Sequence, residues 1–200
     1  MKILQPSDKF LRQVCKPVTR REIHTKQFQA TIEQMLDYVY GKSNKGKNRD
    51  TNKPMIVGLS ANQFGINKRI SIVDLAISKK AFNDIYVLIN PEVIWASESL
   101  KESREGCVNL LKIWGYLNRS KRVIIRAFDR SGNKIQIDAS GLAAKLLQHE
   151  IDHLNGALFI DHLKDPKKAH YVLDKETRAH KKAGKNWNKF IDVSKLVKPL

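Results

Sequence analysis

Apolar residues recur at helical spacing in two parts of the chain. One series runs through residues 23–40 and ends at Gly41; its apolar positions are Phe28, Ile32, Met35, Leu36 and Val39. The other lies between Ser140, a possible N-cap, and Gly156; its apolar positions are Leu142, Ala143, Leu146, Leu147, Ile151 and Leu154. Residues three and four apart share one face of an α-helix. We therefore predict two helices, and the second is apolar enough to be buried.

Strand-like runs occupy the chain between these helices. They cover residues 69–77 and 85–89, followed by a hairpin that pairs residues 123–128 with residues 134–138 across the turn at 130–133. Strands grouped between terminal helices favour an α+β fold over a parallel sheet built from alternating strands and helices.

Composition places limits on the class of protein. A chain of 200 residues with 42% hydrophobic residues can bury the core of one domain, and the sequence contains no internal repeat. No run of 18 apolar residues and no signal-like N-terminus occurs, so we expect neither a membrane span nor secretion. The cysteines are Cys15 and Cys107. A disulfide framework is therefore not expected, and a reducing compartment such as the cytoplasm or an organellar matrix fits.

Positive charge is concentrated in two segments. The net charge is +17; residues 41–54 contain five lysine or arginine residues and one acid, and residues 164–200 contain eleven and four. Segments with this charge usually form a basic surface that contacts only solvent, but they also suit a polyanionic partner such as RNA. Trp187 and Phe190 in the second segment could stack on bases or dock the tail on the domain. We favour docking.

The second helix carries the candidate chemistry. His149 and His153 are four residues apart with Glu150 beside the first, so both imidazoles lie on one face and can reach a single ion. On a buried helix these polar side chains are costly unless a metal or hydrogen bonds satisfy them. The pattern therefore predicts a metal site with its own general base, suited to hydrolysis.

A third ligand is needed, and its identity separates three classes of hydrolase. A metzincin is excluded because Phe159 stands where its third histidine should be. A gluzincin-type peptidase could use Glu176, although neighbouring Lys175 and Arg178 favour a surface role for that carboxylate. Cys107 could instead complete a Cys-His-His site with one open position, a donor set that by itself suggests zinc.

Three ordered motifs resemble those of the peptide deformylases, which remove the formyl group from nascent N-formylmethionyl peptides. The family motif GxGΦAAxQ matches residues 56–63, EGCΦS matches residues 105–109, and QHExDH matches residues 148–153. The N-terminal segment and the stretch after the second helix are also similar, so the resemblance covers about 160 residues. It implies small antiparallel sheets around a buried metal-binding helix, with an N-terminal helix and a basic C-terminal helix or tail. We expect a catalytic domain over residues 1–163 and a basic helical extension of it over residues 164–200.

The resemblance also assigns residues to roles. It implies that Cys107, His149 and His153 hold the metal, with Fe(II) as the native ion and zinc or nickel as frequent replacements. Glu150 would act as general acid and base. The side-chain amide of Gln63 and the backbone N–H of Val108 would bind the formyl oxygen. The expected substrate-binding residues are Val57, Gly58, Leu142, Lys145 and Leu146. A deformylase would also meet ribosomal RNA, to which the basic tail could bind.

Four positions depart from the family pattern. Ile56 replaces the first glycine of the first motif, Asn109 replaces the serine of the second, and Leu111 stands where proline is common. Lys145 lies one turn before His149, where an apolar wall of the methionine pocket is usual. Either its ammonium extends out of the pocket, or the pocket accepts something other than plain methionine.

Two rival functions remain open from the sequence. A gluzincin-like peptidase would use Glu176 in place of Cys107. A basic RNA-binding protein with altered or lost deformylase activity would not need Glu150.

Overall fold

The computed structural model describes residues 1–40, 56–76, 84–111, 113–171 and 190–196. A five-stranded antiparallel sheet has the order β1-β2-β3-β6-β7, with strands Gly58–Ser60, Ile70–Asp74, Ile85–Ala96, Arg122–Phe128 and Lys134–Ser140. A four-stranded antiparallel sheet has the order β4-β5-β8-β9, with strands Leu100–Gly106, Ile113–Ser120, Ala169–Tyr171 and Phe190–Ile191. The α-helices are α1, Arg20–Ile23; α2, Lys26–Tyr40; and α3, Gly141–Leu154. This arrangement confirms the predicted α+β class.

Helix α3 is buried and contacts strands of both sheets, as predicted. Its apolar side, represented by Leu147 and Ile151, packs on Val73, Val123 and Ile125 of the five-stranded sheet. Gly156 follows the helix with a positive φ of 73°. A Cβ at this glycine would lie 2.4 Å from the Arg12 carbonyl oxygen, so the chain can leave α3 this way only with glycine.

The predicted hairpin is confirmed. Strands β6 and β7 pair from Arg122 opposite Ser140 to Phe128 opposite Lys134. In the turn, the Asp129 carboxylate accepts hydrogen bonds from the backbone N–H groups of Ser131 and Asn133. These local bonds fix the register of the pair.

The predicted first helix is present as α2, which begins at Lys26, three residues later than predicted, and a separate short helix, α1, precedes it. Thr19 caps α1 by accepting a hydrogen bond from the Glu22 N–H, and Thr25 accepts one from the Phe28 N–H at the start of α2. Each threonine satisfies a backbone donor that a helix terminus leaves free, so the chain begins a new helix instead of continuing the old one.

Strands β1, β4 and β5 were not predicted. Strand β4 is mostly exposed and polar, so it lacks the alternation of apolar residues that reveals a strand in a sequence. It forms because it pairs with β5 along its whole length, from Leu100 opposite Ser120 to Gly106 opposite Trp114.

The sequence suggested a basic helix or tail at the C-terminus, and the part of this region that the structure describes forms short strands. Strand β8 pairs with β5, and β9 pairs with β8. Residues 172–189, the middle of the expected helix or tail, lie outside the described residues. Val193 is 1% exposed in a cluster with Leu117 and Phe159. Arg12 contacts both the Asp161 carboxylate, at 2.5 Å, and the Leu196 carbonyl. Residues 190–196 are therefore docked on the rest of the fold, whereas Glu176 and Trp187 lie outside the described residues.

Over the described parts of the chain, no helix is both long enough and apolar enough to cross a membrane.

We expect Val193→Ala to destabilise the protein by about 2 kcal/mol, because it removes buried methyl groups from a closed cluster. For a chain of this size the melting temperature should fall by about 4–8 °C. Lys195→Ala, at an exposed neighbouring position, is the matched control and should melt like the wild type. Equal melting temperatures for both variants, measured by calorimetry, would show that the C-terminal segment is not part of the core.

Candidate active site

A cavity of about 460 Å³ opens between α3, β1 and the end of β4. Every site residue expected from the sequence lines this cavity except His153, which is 1% exposed and does not reach the cavity surface. The structure thus brings together residues separated by nearly a hundred positions in the sequence. A concave, largely apolar cavity with a few converging polar groups is typical of a small-ligand site.

Three donor atoms meet at one end of this cavity. The sulfur of Cys107 and one ring nitrogen from each of His149 and His153 all lie within 4.8 Å of one another. The distance from Cys107 Sγ to His153 Nε2 is 3.2 Å. Donors held at about 2.0–2.3 Å around a tetrahedral ion are about 3.5 Å apart, so this group fits one divalent metal ion.

His149 is oriented by a chain of buried charged groups. Its Nδ1 lies 3.0 Å from Glu105 Oε2, which directs Nε2 toward the other two donors. Arg119 donates to both oxygens of Glu105, at 3.0 and 3.1 Å, and to Asp152 at 2.5 Å. Burial opposes ionisation of Glu105, but hydrogen bonds from His149 and Arg119 outweigh it and hold the pKa at about 2. The carboxylate is therefore ionised at neutral pH.

Glu150 is 3% exposed and points into the cavity beside the donor group. Its Oε2 accepts a hydrogen bond from the Ser60 hydroxyl at 2.7 Å, and that hydroxyl also contacts Ser71 Oγ at 2.8 Å. Its Oε1 lies against Gly58, where a Cβ would come within 2.4 Å of that oxygen. One carboxylate oxygen is thus held while the other is free to accept a proton. Burial raises the pKa of this carboxyl.

Gln63 presents its amide nitrogen to the donor group. Its Oε1 accepts the Ser60 backbone N–H at 2.7 Å, while its Nε2 lies 2.6 Å from Asn109 Oδ1 and 3.3 Å from Cys107 Sγ. Asn109 also donates to the Leu4 carbonyl at 2.9 Å. The asparagine that departs from the family motif is therefore part of the support for Gln63.

The cavity continues between apolar side chains of α3. Leu146 is buried and Leu142 is half exposed at the edge. The ammonium of Lys145 donates to the Arg104 carbonyl at 2.6 Å, so it is bonded to the backbone of β4 and does not lie free among the apolar groups. Burial lowers the pKa of this ammonium. Its stem lines the cavity in the manner expected of a long cationic side chain.

Comparison with known proteins agrees with this geometry. The family model of polypeptide deformylase matches residues 1–169. The chain belongs to the polypeptide deformylase family. Removal of the N-terminal formyl group is the activity of this family of metal-dependent enzymes, which act on formylated nascent peptides. The gluzincin-like peptidase and the divergent RNA-associated protein are therefore not favoured.

Similar proteins cover most of the chain. A peptide deformylase of Methylocella silvestris is 35% identical over 174 residues, covering 86% of this chain and 81% of the relative. A peptide deformylase of Bartonella quintana is 35% identical, and the match covers 88% of this chain and 90% of the relative. Among solved structures, the Synechococcus elongatus deformylase in complex with actinonin has a TM-score of 0.69 at 29% identity. The match covers 100% of this chain and 90% of that structure. The Thermotoga maritima deformylase has a TM-score of 0.67 at 31% identity, and the match covers 82% of this chain and 97% of that structure.

Two features of this deformylase site were missed in the sequence. Ser60 stands where the family motif GxGΦAAxQ has its first alanine, and that substitution was the available signal. Nothing in the sequence indicated a role for Arg119, because it lies outside the three motifs. It reaches Glu105 and Asp152 only through the pairing of β4 with β5 and the packing of α3.

We expect Cys107 in the metal-free protein to be alkylated at about pH 7 while Cys15 is not, because the thiolate is the reactive form. Burial alone would raise the pKa of Cys107, but His153 and His149 outweigh it and lower the pKa to about 5, whereas burial raises that of Cys15 to about 11. The rate should therefore rise through about pH 5, and added Zn²⁺ should suppress it. Mass spectrometry of the alkylated protein checks both. A rate that rises only near the ordinary thiol pKa, or no protection by Zn²⁺, would contradict the site.

Proposed function

We propose that this chain hydrolyses the N-formyl group of N-formylmethionyl peptides, releasing formate and a free amino terminus. The observation that supports this most directly is the placement of Glu150 beside the Cys107, His149 and His153 donors at the closed end of an apolar cavity. We assign those three residues as the ligands of one divalent ion. Such an ion, when bound, lowers the pKa of a water molecule and polarises a carbonyl oxygen.

Glu150 is the general base and then the general acid. Its free Oε1 takes the proton of the attacking water, and the same carboxyl returns a proton to the nitrogen when the C–N bond breaks. The pKa of Glu150, raised by burial, brings the group nearer to the neutral range in which such transfer is efficient. Ser60 holds the other oxygen and so keeps the carboxyl aimed at the cavity.

Gln63 and Val108 bind the formyl oxygen. The Gln63 amide is oriented by Ser60 and Asn109, which leaves its nitrogen facing the donor group. Hydrogen bonds from this nitrogen and from the Val108 N–H would oppose the negative charge that grows on the oxygen during attack. Donors fixed before the substrate arrives stabilise that charge most, since they need no reorganisation.

The methionine side chain occupies the apolar part of the cavity. Val57, Leu142 and Leu146 and the stem of Lys145 supply its walls. Gly58 lets the peptide backbone pass close to Glu150, because any side chain there would fill that space. Since the Lys145 ammonium is bonded to β4, its charge is compatible with a methionine pocket.

Further assignments rest on the deformylase resemblance and the charge pattern. We propose Fe(II) as the native ion, with Zn(II) or Ni(II) able to replace it. Residues 1–163 would form the catalytic domain and residues 164–200 its basic extension. The excess of cations in that extension suits contact with ribosomal RNA. Formylated nascent chains place the reaction in the cytoplasm or an organellar matrix.

Glu150→Gln should bind metal like the wild type but release formate about 10²–10⁴ times more slowly, because an amide cannot accept the water's proton. Cys107→Ala is the complementary variant, and it should lose both metal and activity. The test is metal analysis of the purified proteins together with formate release from a formyl-Met peptide under anaerobic conditions. Near wild-type turnover by Glu150→Gln would refute this mechanism, as would a Cys107→Ala protein with full metal content.

A further inference from the structure

Arg104 places an exposed cation at the mouth of the cavity. It lies in β4, three residues before Cys107, and lines the same cavity as the donor group. Among the described residues none of the ion pairs includes Arg104. Its guanidinium is therefore available to an anionic group on a bound peptide.

Trp114 holds that guanidinium in place. The Arg104 guanidinium carbon is 4.6 Å from the centre of the Trp114 ring, a cation–π contact. The ring itself lies over Gly106, its partner across the β4–β5 pair, where a Cβ would come within 2.7 Å of the indole. A side chain at Gly106 would displace the ring, so the glycine allows the indole to lie where it contacts the Arg104 guanidinium.

The acidic residues that line the cavity do not neutralise this guanidinium. Glu105 is buried and bonded to Arg119 and His149, and Glu150 is buried at the closed end of the cavity. Lys145 adds a second cation to the wall, bonded to the Arg104 carbonyl. The mouth of the cavity is thus cationic, whereas the carboxylates face inward.

The spacing along β4 indicates which part of a peptide would meet Arg104. A strand rises about 3.3 Å per residue, so Arg104 lies about 10 Å along β4 from Cys107. An extended peptide advances about 3.3–3.6 Å per residue. With its formyl group at the Cys107, His149 and His153 donors, its second or third residue would lie beside Arg104.

We propose that Arg104, held by Trp114, selects formyl-methionyl peptides with an acidic side chain at the second or third residue. This inference rests on the proposed deformylase function and adds a substrate preference to it. Arg104 binds the side-chain carboxylate through charge-assisted hydrogen bonds. Because the guanidinium is exposed, the preference is modest, about two- to fivefold, and weakens with salt.

The test compares peptides that differ only in charge. kcat/KM is measured at low and moderate salt for formyl-Met-Asp-Ala and formyl-Met-Asn-Ala, and for formyl-Met-Ala-Asp and formyl-Met-Ala-Asn, all with amidated C-termini. In at least one pair the Asp peptide should be favoured by about two- to fivefold at low salt. Arg104→Gln should bring the ratio close to one, and Trp114→Leu should lower it partway, because the charge remains but is no longer held.

Arg126→Gln is the matched control, because Arg126 is an exposed arginine of β6 that pairs with Glu92 and does not line the cavity. It should keep the wild-type ratio. Asp peptides that react no faster than Asn peptides in both pairs, or a ratio unchanged in Arg104→Gln, would overturn the inference. Absence of formate from the neutral Asn peptides would instead refute the proposed function. In that case the dissociation constants of the unformylated Met-Asp-Ala and Met-Asn-Ala amides, and of Met-Ala-Asp and Met-Ala-Asn amides, decide the preference without turnover.

Discussion

The buried ion pair between Arg119 and Glu105 connects the parts of the fold that form the site. Arg119 extends from β5, Glu105 belongs to β4, and Asp152, the third member, lies on α3. Removing one partner from such a network typically costs about 3–5 kcal/mol, because it leaves a buried charge without compensation. Glu105 uses the same carboxylate to orient His149. The contact that holds α3 to the four-stranded sheet therefore also orients the His149 imidazole.

The departures from the family motifs remove none of the three donor residues, and each departing side chain has a place in the structure. Asn109 bonds to Gln63 and to the Leu4 carbonyl, so it has a supporting role of its own. Leu111 is 73% exposed and needs no partner. Ile56 lines the cavity, and its aliphatic side chain has no group that could hydrogen-bond to the donor residues. Ser60 contacts Ser71, so its hydroxyl has a buried polar neighbour as well as the Glu150 carboxylate.

The sequence was most informative where structure is local. The α3 pattern and the β6–β7 hairpin depend on residues close together in the chain, and these predictions are confirmed. Strand β4 and the docking of residues 190–196 depend on distant partners, which a periodic pattern does not reveal. For Lys145 the sequence left two outcomes open, and the position of its ammonium depends on a carbonyl 41 positions away on β4.

The central claim is that one sulfur and two imidazole nitrogens share a single metal ion. X-ray absorption spectroscopy of the zinc-loaded protein tests it directly. The account predicts one sulfur at about 2.3 Å and two nitrogens at about 2.0–2.1 Å in the first coordination shell. A shell without sulfur, or one in which a carboxylate oxygen takes the place of the Cys107 thiolate, would contradict it.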